Sequence, residues 1–402
     1  MRCTAITLSI MMISIVGASL LPAPQVAADS SFTFSAAGDY GSWGGFSATM
    51  RLLNNSRSEI GFNLALGDLS YGGNTGYANT TEEAWCEKFH RYFPSLELIA
   101  GNHDTGQQSL LEGNINNFTK YCPFTLQTPI GGTYGKQYYF DYPAANPLAR
   151  FILISPDIVY VVDGGEHYDY RVNSPRYNWT AQAIDSARAA GIPWVIVGMH
   201  KNCIAAGEHA CEIGTDIFNL LLQKNVPLIL QAHTHNYERS KQLTIGGTCD
   251  GIQLHLYNPA CVVNDGTTRQ YAASAGSVLV ISGTGGRELD AFNASDPYSN
   301  YFAANGWMAN NTPGLENSAS QAGLGNGVVV FNVSASQISM YTKFNTTAYS
   351  DSFTLTRATG TPLFETLIEY APIFILGGIG VAAVVVWRRR KRAGKKSRDF
   401  EL

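Results

Sequence analysis

Residues Gln231–Arg239, QAHTHNYER, place two of the chain's eight histidines either side of one threonine, directly after the apolar β-type run Val226–Leu230. Four other β-type runs also end in side chains able to hold or activate something: Asp39 after FTFSAAG, Asp68 with Tyr71 in GDLSY, Asn102 with His103 in GNHD, and His200 after PWVIVGM. Each has an ordinary explanation alone, since an aspartate after glycine caps a turn and a lone histidine is more often packed than ligating. Together they make a set of oxygen and nitrogen donors with no cysteine thiolate among them. Such a set, brought to one edge of a sheet, points to a metal site.

Bringing these residues together requires strands that end on one side. From Phe32 the β-type runs alternate with helical patterns around Phe46–Ser58 and Glu82–Phe93, and Pro175–Gly191 has a proline start and a glycine stop. The alternation predicts βαβ units whose loops gather at the strands' C-terminal edge. After Cys261 the chain turns to Gly/Ser/Asn-rich loops around SVLVISG, GVVVFNVS and QISMYTKF. With no helical pattern between them, these runs predict a second, antiparallel-edged sheet. On extended backbone alternate side chains face the same way, so His233 and His235 can serve both members of a metal pair from one short segment. Glu238 and Arg239 are expected to form a structural ion pair or cap.

The chain has 402 residues, 45% of them hydrophobic, enough for a sizeable core. Met1–Ala28 reads as a secretory signal, with an apolar stretch and small residues before Asp29. Tyr370–Trp387 is eighteen residues without a charge, followed at once by RRRKRAGKK. That pattern predicts a transmembrane helix over 370–387, a basic cytoplasmic tail over 388–402, and a type I surface protein with its body outside the cell. A stalk is expected over 349–369 and one globular domain over 30–348. The tail carries eight Lys/Arg and two Asp/Glu, so with Arg2 also set aside the formal charge of −4 becomes −11 for residues 29–387. An acidic body argues against nucleic-acid binding. Outside the signal, six cysteines in an extracellular setting predict disulfides. Short spacings favour Cys203–Cys211 and Cys249–Cys261, which leaves Cys86–Cys122, and eight Asn-x-Ser/Thr sequons suit a glycosylated surface.

The blocks GDYG, GDLSY, GNHD, VGMH and AHTHNYER, in that order, resemble those of the purple acid phosphatases within the calcineurin-like metallophosphoesterases, and VISGTGG (Val280–Gly286) resembles a later core strand of the same fold. The wider superfamily usually carries a histidine two residues after the first aspartate, where this chain has Gly41, while the tyrosine of GDLSY is present. The resemblance implies an α/β four-layer sandwich of two mixed β-sheets flanked by helices. It implies a trivalent iron held by Asp39, Asp68, Tyr71 and His235, and a divalent iron, zinc or manganese held by Asp68, Asn102, His200 and His233, with Asp68 bridging. Two carboxylates and a tyrosinate would leave such a pair net positive and attractive to phosphate. Two ions about 3.5–4 Å apart can supply hydroxide and stabilise an in-line displacement. His103 is the implied partner of the phosphate or attacking oxygen. His209, nine residues after His200, matches the family's phosphate-binding or general-acid histidine. Ala232 departs from the glycine usual before the first histidine of its block, which bears on the turn there.

The function implied is a surface-anchored acid phosphatase acting on small phosphate monoesters. A phosphodiesterase or nucleotide hydrolase on the same ions is the alternative, decided by loops such as Tyr71–Thr81 and Gly106–Gly132. A catalytically silent surface-binding module is the alternative from another class, but it has no use for seven metal-binding side chains.

Overall fold

The computed structural model describes residues 30–72, 81–109, 112–206, 209, 211–306, 325–347 and 349–358. The expected signal segment, the apolar run 370–387 and the basic tail lie outside these residues. No helix among the described residues is long and apolar enough to cross a membrane.

The body from Ser31 onward is a mixed α/β fold with two large sheets, of seven and eight strands. In the first, Phe32–Ala37, Phe62–Ala65 and Leu96–Leu98 run parallel. Gly327–Val333, Gln337–Phe344 and Ser352–Thr356 extend it antiparallel from the other side of Phe32–Ala37, and Gln270–Ala272 closes the edge. The second sheet has a parallel centre of Ala149–Leu153, Trp194–Gly198, Leu228–Gln231 and Val278–Ser282. Gln137–Tyr142 and Ile130–Thr133 add antiparallel on one side of this centre, Tyr237–Ser240 and Phe302–Asn305 on the other.

The α/β architecture is as expected, but the strands are partitioned differently. The first three β-type runs enter one sheet and the next two enter the other. The late runs form no sheet of their own: Val278–Ser282 inserts into the second, while Gly327–Val333 and Gln337–Phe344 pair back onto the first. Strands buried on both faces read as continuous apolar runs, which carry no mark of the neighbour they will pair with. The folded body also continues past residue 348, where the stalk was expected, because Ser352–Thr356 is a strand of the first sheet.

Two-residue alternation divides each central strand between two cores. Phe34, Phe151, Leu153, Trp194, Ile196, Leu228, Leu230 and Phe331 point between the sheets, whereas Ile152, Val197, Ile229 and Ile281 point outward to the other core. Phe34 meets Phe151 edge-on across the interface with centroids 4.9 Å apart. Helices Gly44–Asn55, Glu82–Tyr92 and Pro175–Ala189 occupy the expected stretches. Ser174 Oγ accepts from Tyr177 N, and Pro175 stands at the first turn, where its missing N–H costs nothing. Disulfides join Cys86–Cys122, Cys203–Cys211 and Cys249–Cys261, the pairing that the spacings favour.

Candidate metal centre

The parallel strands of both sheets deliver their C-terminal ends to one place. Asp39 N donates to Gly67 O at 3.0 Å, Gly38 N to Ser282 O at 2.9 Å and Ala232 N to His200 O at 3.0 Å, so the C-terminal ends of five strands are tied, three in one group and two in another. Close approach requires missing side chains. A Cβ on Gly101 would lie 2.0 Å from Asp68 Oδ1, and one on Gly38 would lie 2.4 Å from the Ala232 methyl. The second clash shows how the chain accommodates alanine before His233: Gly38 opposite leaves room for it.

Four side chains of the site hang from left-handed backbone: Asp39 (φ 60°), Asp68 (φ 51°), Tyr71 (φ 48°) and His233 (φ 69°). This conformation disfavours L residues, tyrosine more than aspartate or histidine. His233 is also where the extended-backbone expectation fails. Thr234 N donates to Ala232 O at 2.8 Å and Asn236 N to Thr234 O at 2.7 Å, two successive three-residue turns. The turn sends the two histidines to different neighbours.

His235 joins the first group: the Tyr71 hydroxyl donates to Asp39 Oδ1 at 2.9 Å and lies 3.1 Å from His235 Nε2, which is 3.4 Å from Asp39 Oδ1. His233 joins the second. Its Nδ1 lies 3.1 Å from His200 Nε2, which in turn lies 3.1 Å from Asn102 Oδ1 and 3.3 Å from Asp68 Oδ1. Asp68, His200 and His233 present ligand atoms within 4.8 Å of one another. All seven metal-ligand candidates therefore lie in two adjoining groups, and Asp39, Asp68, Asn102 and His200 are 0–1% exposed.

His103 N donates to Asp68 Oδ1 at 3.0 Å, and its Nδ1 is paired to Glu112 Oε2 at 2.6 Å. His209 stacks on His233 with ring centroids 3.8 Å apart and pairs with Glu212 at 3.1 Å. Both candidate catalytic histidines thus border the buried groups.

Burial alone would raise the carboxyls of Asp39 and Asp68, but neighbouring imidazoles, His235 and His200 for the first and His200 and His103 for the second, hold both below the usual carboxylate range. His200 is pushed up to about 9, because Asp68 and Asp39 outweigh its burial. His233 goes the other way, to about 4, through burial and the neighbouring His200, despite its hydrogen bond to Glu212. Burial, Asp39 and Asp68 raise the Tyr71 phenol well above its ordinary value. A set that forces adjacent imidazoles apart and crowds two carboxylates against a phenol is one that cations would relieve, so these residues fit metal ions.

Several supporting residues were not among those the sequence singled out. Glu212 reaches His233 Nε2 at 3.1 Å, and Lys201 Nζ bridges Glu212 at 2.9 Å and Asp157 at 2.8 Å. Asp290 accepts from His235 N at 2.8 Å. Asp104 accepts from Leu69 N at 3.0 Å and Gly101 N at 2.9 Å, which fixes the Asp68 and Asn102 loops to each other. Glu238 and Arg239 do not pair. As strand neighbours they face opposite sides: Glu238 accepts from Ala206 N and Asn236 Nδ2, while Arg239 pairs with Asp351 at 2.6 Å and bonds Tyr271.

Comparison with known proteins agrees with this geometry. The chain is 23% identical to a purple acid phosphatase of Glycine max over 290 residues, 70% of this chain and 56% of that protein. It is 25% identical to a nucleotide pyrophosphatase/phosphodiesterase of Hordeum vulgare over 167 residues, 39% of this chain and 42% of that protein. It thus spans about half the length of these relatives. A purple acid phosphatase from seeds of Lupinus luteus superposes with a TM-score of 0.56 at 16% identity, over 83% of this chain and 55% of that one, which shows a shared fold. The family model for calcineurin-like phosphoesterases matches residues 32–237, from the first strand to just beyond the second histidine of the site. With more than half the chain and every one of the candidate ligands inside that match, the protein belongs to the calcineurin-like phosphoesterase family.

Proposed function

We propose that the protein is a metal-dependent acid phosphatase of the purple acid type, cleaving phosphate monoesters at a centre of one ferric and one divalent ion. The observation that carries this reading is the division of the donors into two adjoining groups, one of them containing a tyrosine. Asp39, Tyr71 and His235 would hold the ferric ion, and Asn102, His200 and His233 the divalent one, with Asp68 shared. When bound, such a pair supplies positive charge that attracts phosphate oxygens and lowers the pKa of water.

The chain's own residues would do the rest. His103, fixed by Glu112 and by its backbone bond to Asp68, would donate to a phosphate oxygen. His209 would give a proton to the departing alkoxide, with Glu212 holding its Nδ1 at 3.1 Å so that Nε2 carries the donated proton. Glu212 contacts both His209 and His233, and so would keep proton donor and ligand in fixed relation.

The apolar run before the basic tail supports a surface-anchored enzyme with its body outside the cell, as the positive-inside pattern implies. The experiment is metal analysis of the purified full-length protein together with hydrolysis of a chromogenic monoester and a chromogenic diester across pH. Two ions per chain, one of them iron, with monoester cleavage favoured at acid pH is the expected result. Absence of bound metal, or preferential cleavage of the diester, would contradict it.

A further inference from the structure

Basic side chains border the buried donors, and among the described residues all but one are already engaged. Lys201, His103 and His209 each have a carboxylate oxygen within 3.1 Å. Arg287 differs. Among the described residues the nearest carboxylate to its guanidinium is Glu288, at 3.7 Å and on a side chain 60% exposed, an arrangement that contributes little. Its Nε is buried without a hydrogen-bond partner.

The rest of Arg287 is well fixed. Its backbone N donates to Asp39 O at 3.0 Å, and its own carbonyl accepts from Asn326 Nδ2 at 3.0 Å. Its guanidinium carbon lies 4.5 Å from the ring centroid of Trp43 and 4.5 Å from that of Tyr71. Aromatic faces hold the planar cation in place without consuming its N–H donors, which all lie along its edge. The result is a pre-oriented anion-binding fork, 23% exposed, at the Tyr71 side of the site. The Tyr71 hydroxyl turns the other way, toward Asp39 and His235. The guanidinium therefore lies against the ring of Tyr71, beside the donor groups and not among them.

We infer that Arg287 is a specificity-determining residue that receives a second anionic group of the substrate, so that diphosphate esters and phosphoanhydrides are bound in preference to simple monoesters. The inference rests on the phosphatase reading above and narrows its substrate class. A monoester places its single phosphoryl among the buried donors and leaves the Arg287 fork to water. A diphosphate reaches both, and a bidentate guanidinium contact to phosphate is among the stronger polar contacts available.

The test is calorimetric titration of the full-length, metal-containing protein with orthophosphate and with methylenediphosphonate, which carries two linked anionic groups and is not hydrolysed. Wild type is expected to bind the diphosphonate at least about tenfold more tightly than orthophosphate, and R287M to lose most of that ratio, as removal of one charged hydrogen-bonding partner would. R287K keeps the charge without the fork and should recover part of the ratio. If R287M fails to fold, R287K against wild type decides, with a loss of about threefold or more expected. A diphosphonate preference unchanged in the variants, or absent from wild type, overturns the inference. Monoester hydrolysis by the same preparation is read separately: its absence contradicts the phosphatase reading, while the titration still decides Arg287.

Discussion

Tyr71 donates its phenolic O–H to Asp39 Oδ1 at 2.9 Å, joining the loops that follow the first two strands. Both residues sit in left-handed backbone, as do Asp68 and His233. Each such residue costs on the order of 1–3 kcal/mol, and four in one place show a site shaped against its own stability. Strain of this kind marks where function outweighs local preference.

Asp68 is the residue whose loss should be felt most widely. Its Oδ1 lies 3.3 Å from His200 Nε2 and accepts from His103 N, and the proposal gives it to both ions. Asp68→Ala is expected to purify with less than about a tenth of wild-type metal of either kind, because one shared carboxylate serves each position. Elemental analysis checks this. Retention of either ion at wild-type level would contradict the shared role.

His209→Ala should leave both ions in place, since among the described residues His209 touches the site through His233 and Glu212. Turnover with a poor leaving group, such as an alkyl phosphate, is expected to fall about a hundredfold, and far less with a nitrophenolate that needs no proton. Equal losses with both substrates would remove the proton-donor role.

Glu238 gives a prediction independent of catalysis. Burial pushes its carboxyl up to about 7 despite hydrogen bonds from Asn236 and Ala206. Because the folded value lies above the ordinary 4.5, the protein keeps full stability from this group below pH 4.5 and loses it as pH rises through about 7. Glu238→Gln should therefore match wild type near the low end and exceed it by up to about 3 kcal/mol at high pH. Denaturant unfolding at pH 4.5 and pH 9 measures this, and a difference constant across that range would contradict it.

Much of the site could be read from strand ends. Asp39, Asp68, Asn102, His200 and His233 each follow an apolar run closely, and parallel strands must release such residues at one edge. Their supports were not readable in the same way. Glu212 arrives through the Cys203–Cys211 loop, whose path depends on tertiary contacts such as Ala206 N to Glu238. Asp290 and Arg287 follow the run SVLVIS and the glycines after it, so the strand-end rule, applied once more, would have pointed to them. Partition between the two sheets was hidden for a different reason. Ile152 and Phe151 are equally apolar, yet they face different cores. The turn at His233 was missed because no glycine announces its positive φ.

The most direct test of the account is the visible absorption spectrum of the iron-loaded protein beside that of Tyr71→Phe. A phenolate bound to ferric iron absorbs in the visible, so wild type should be coloured, and the variant should be colourless with reduced iron but measurable phosphatase activity, because Asp39, Asp68 and His235 remain. A wild type with no visible band, or a variant that keeps the band, would contradict the assignment of Tyr71 to ferric iron.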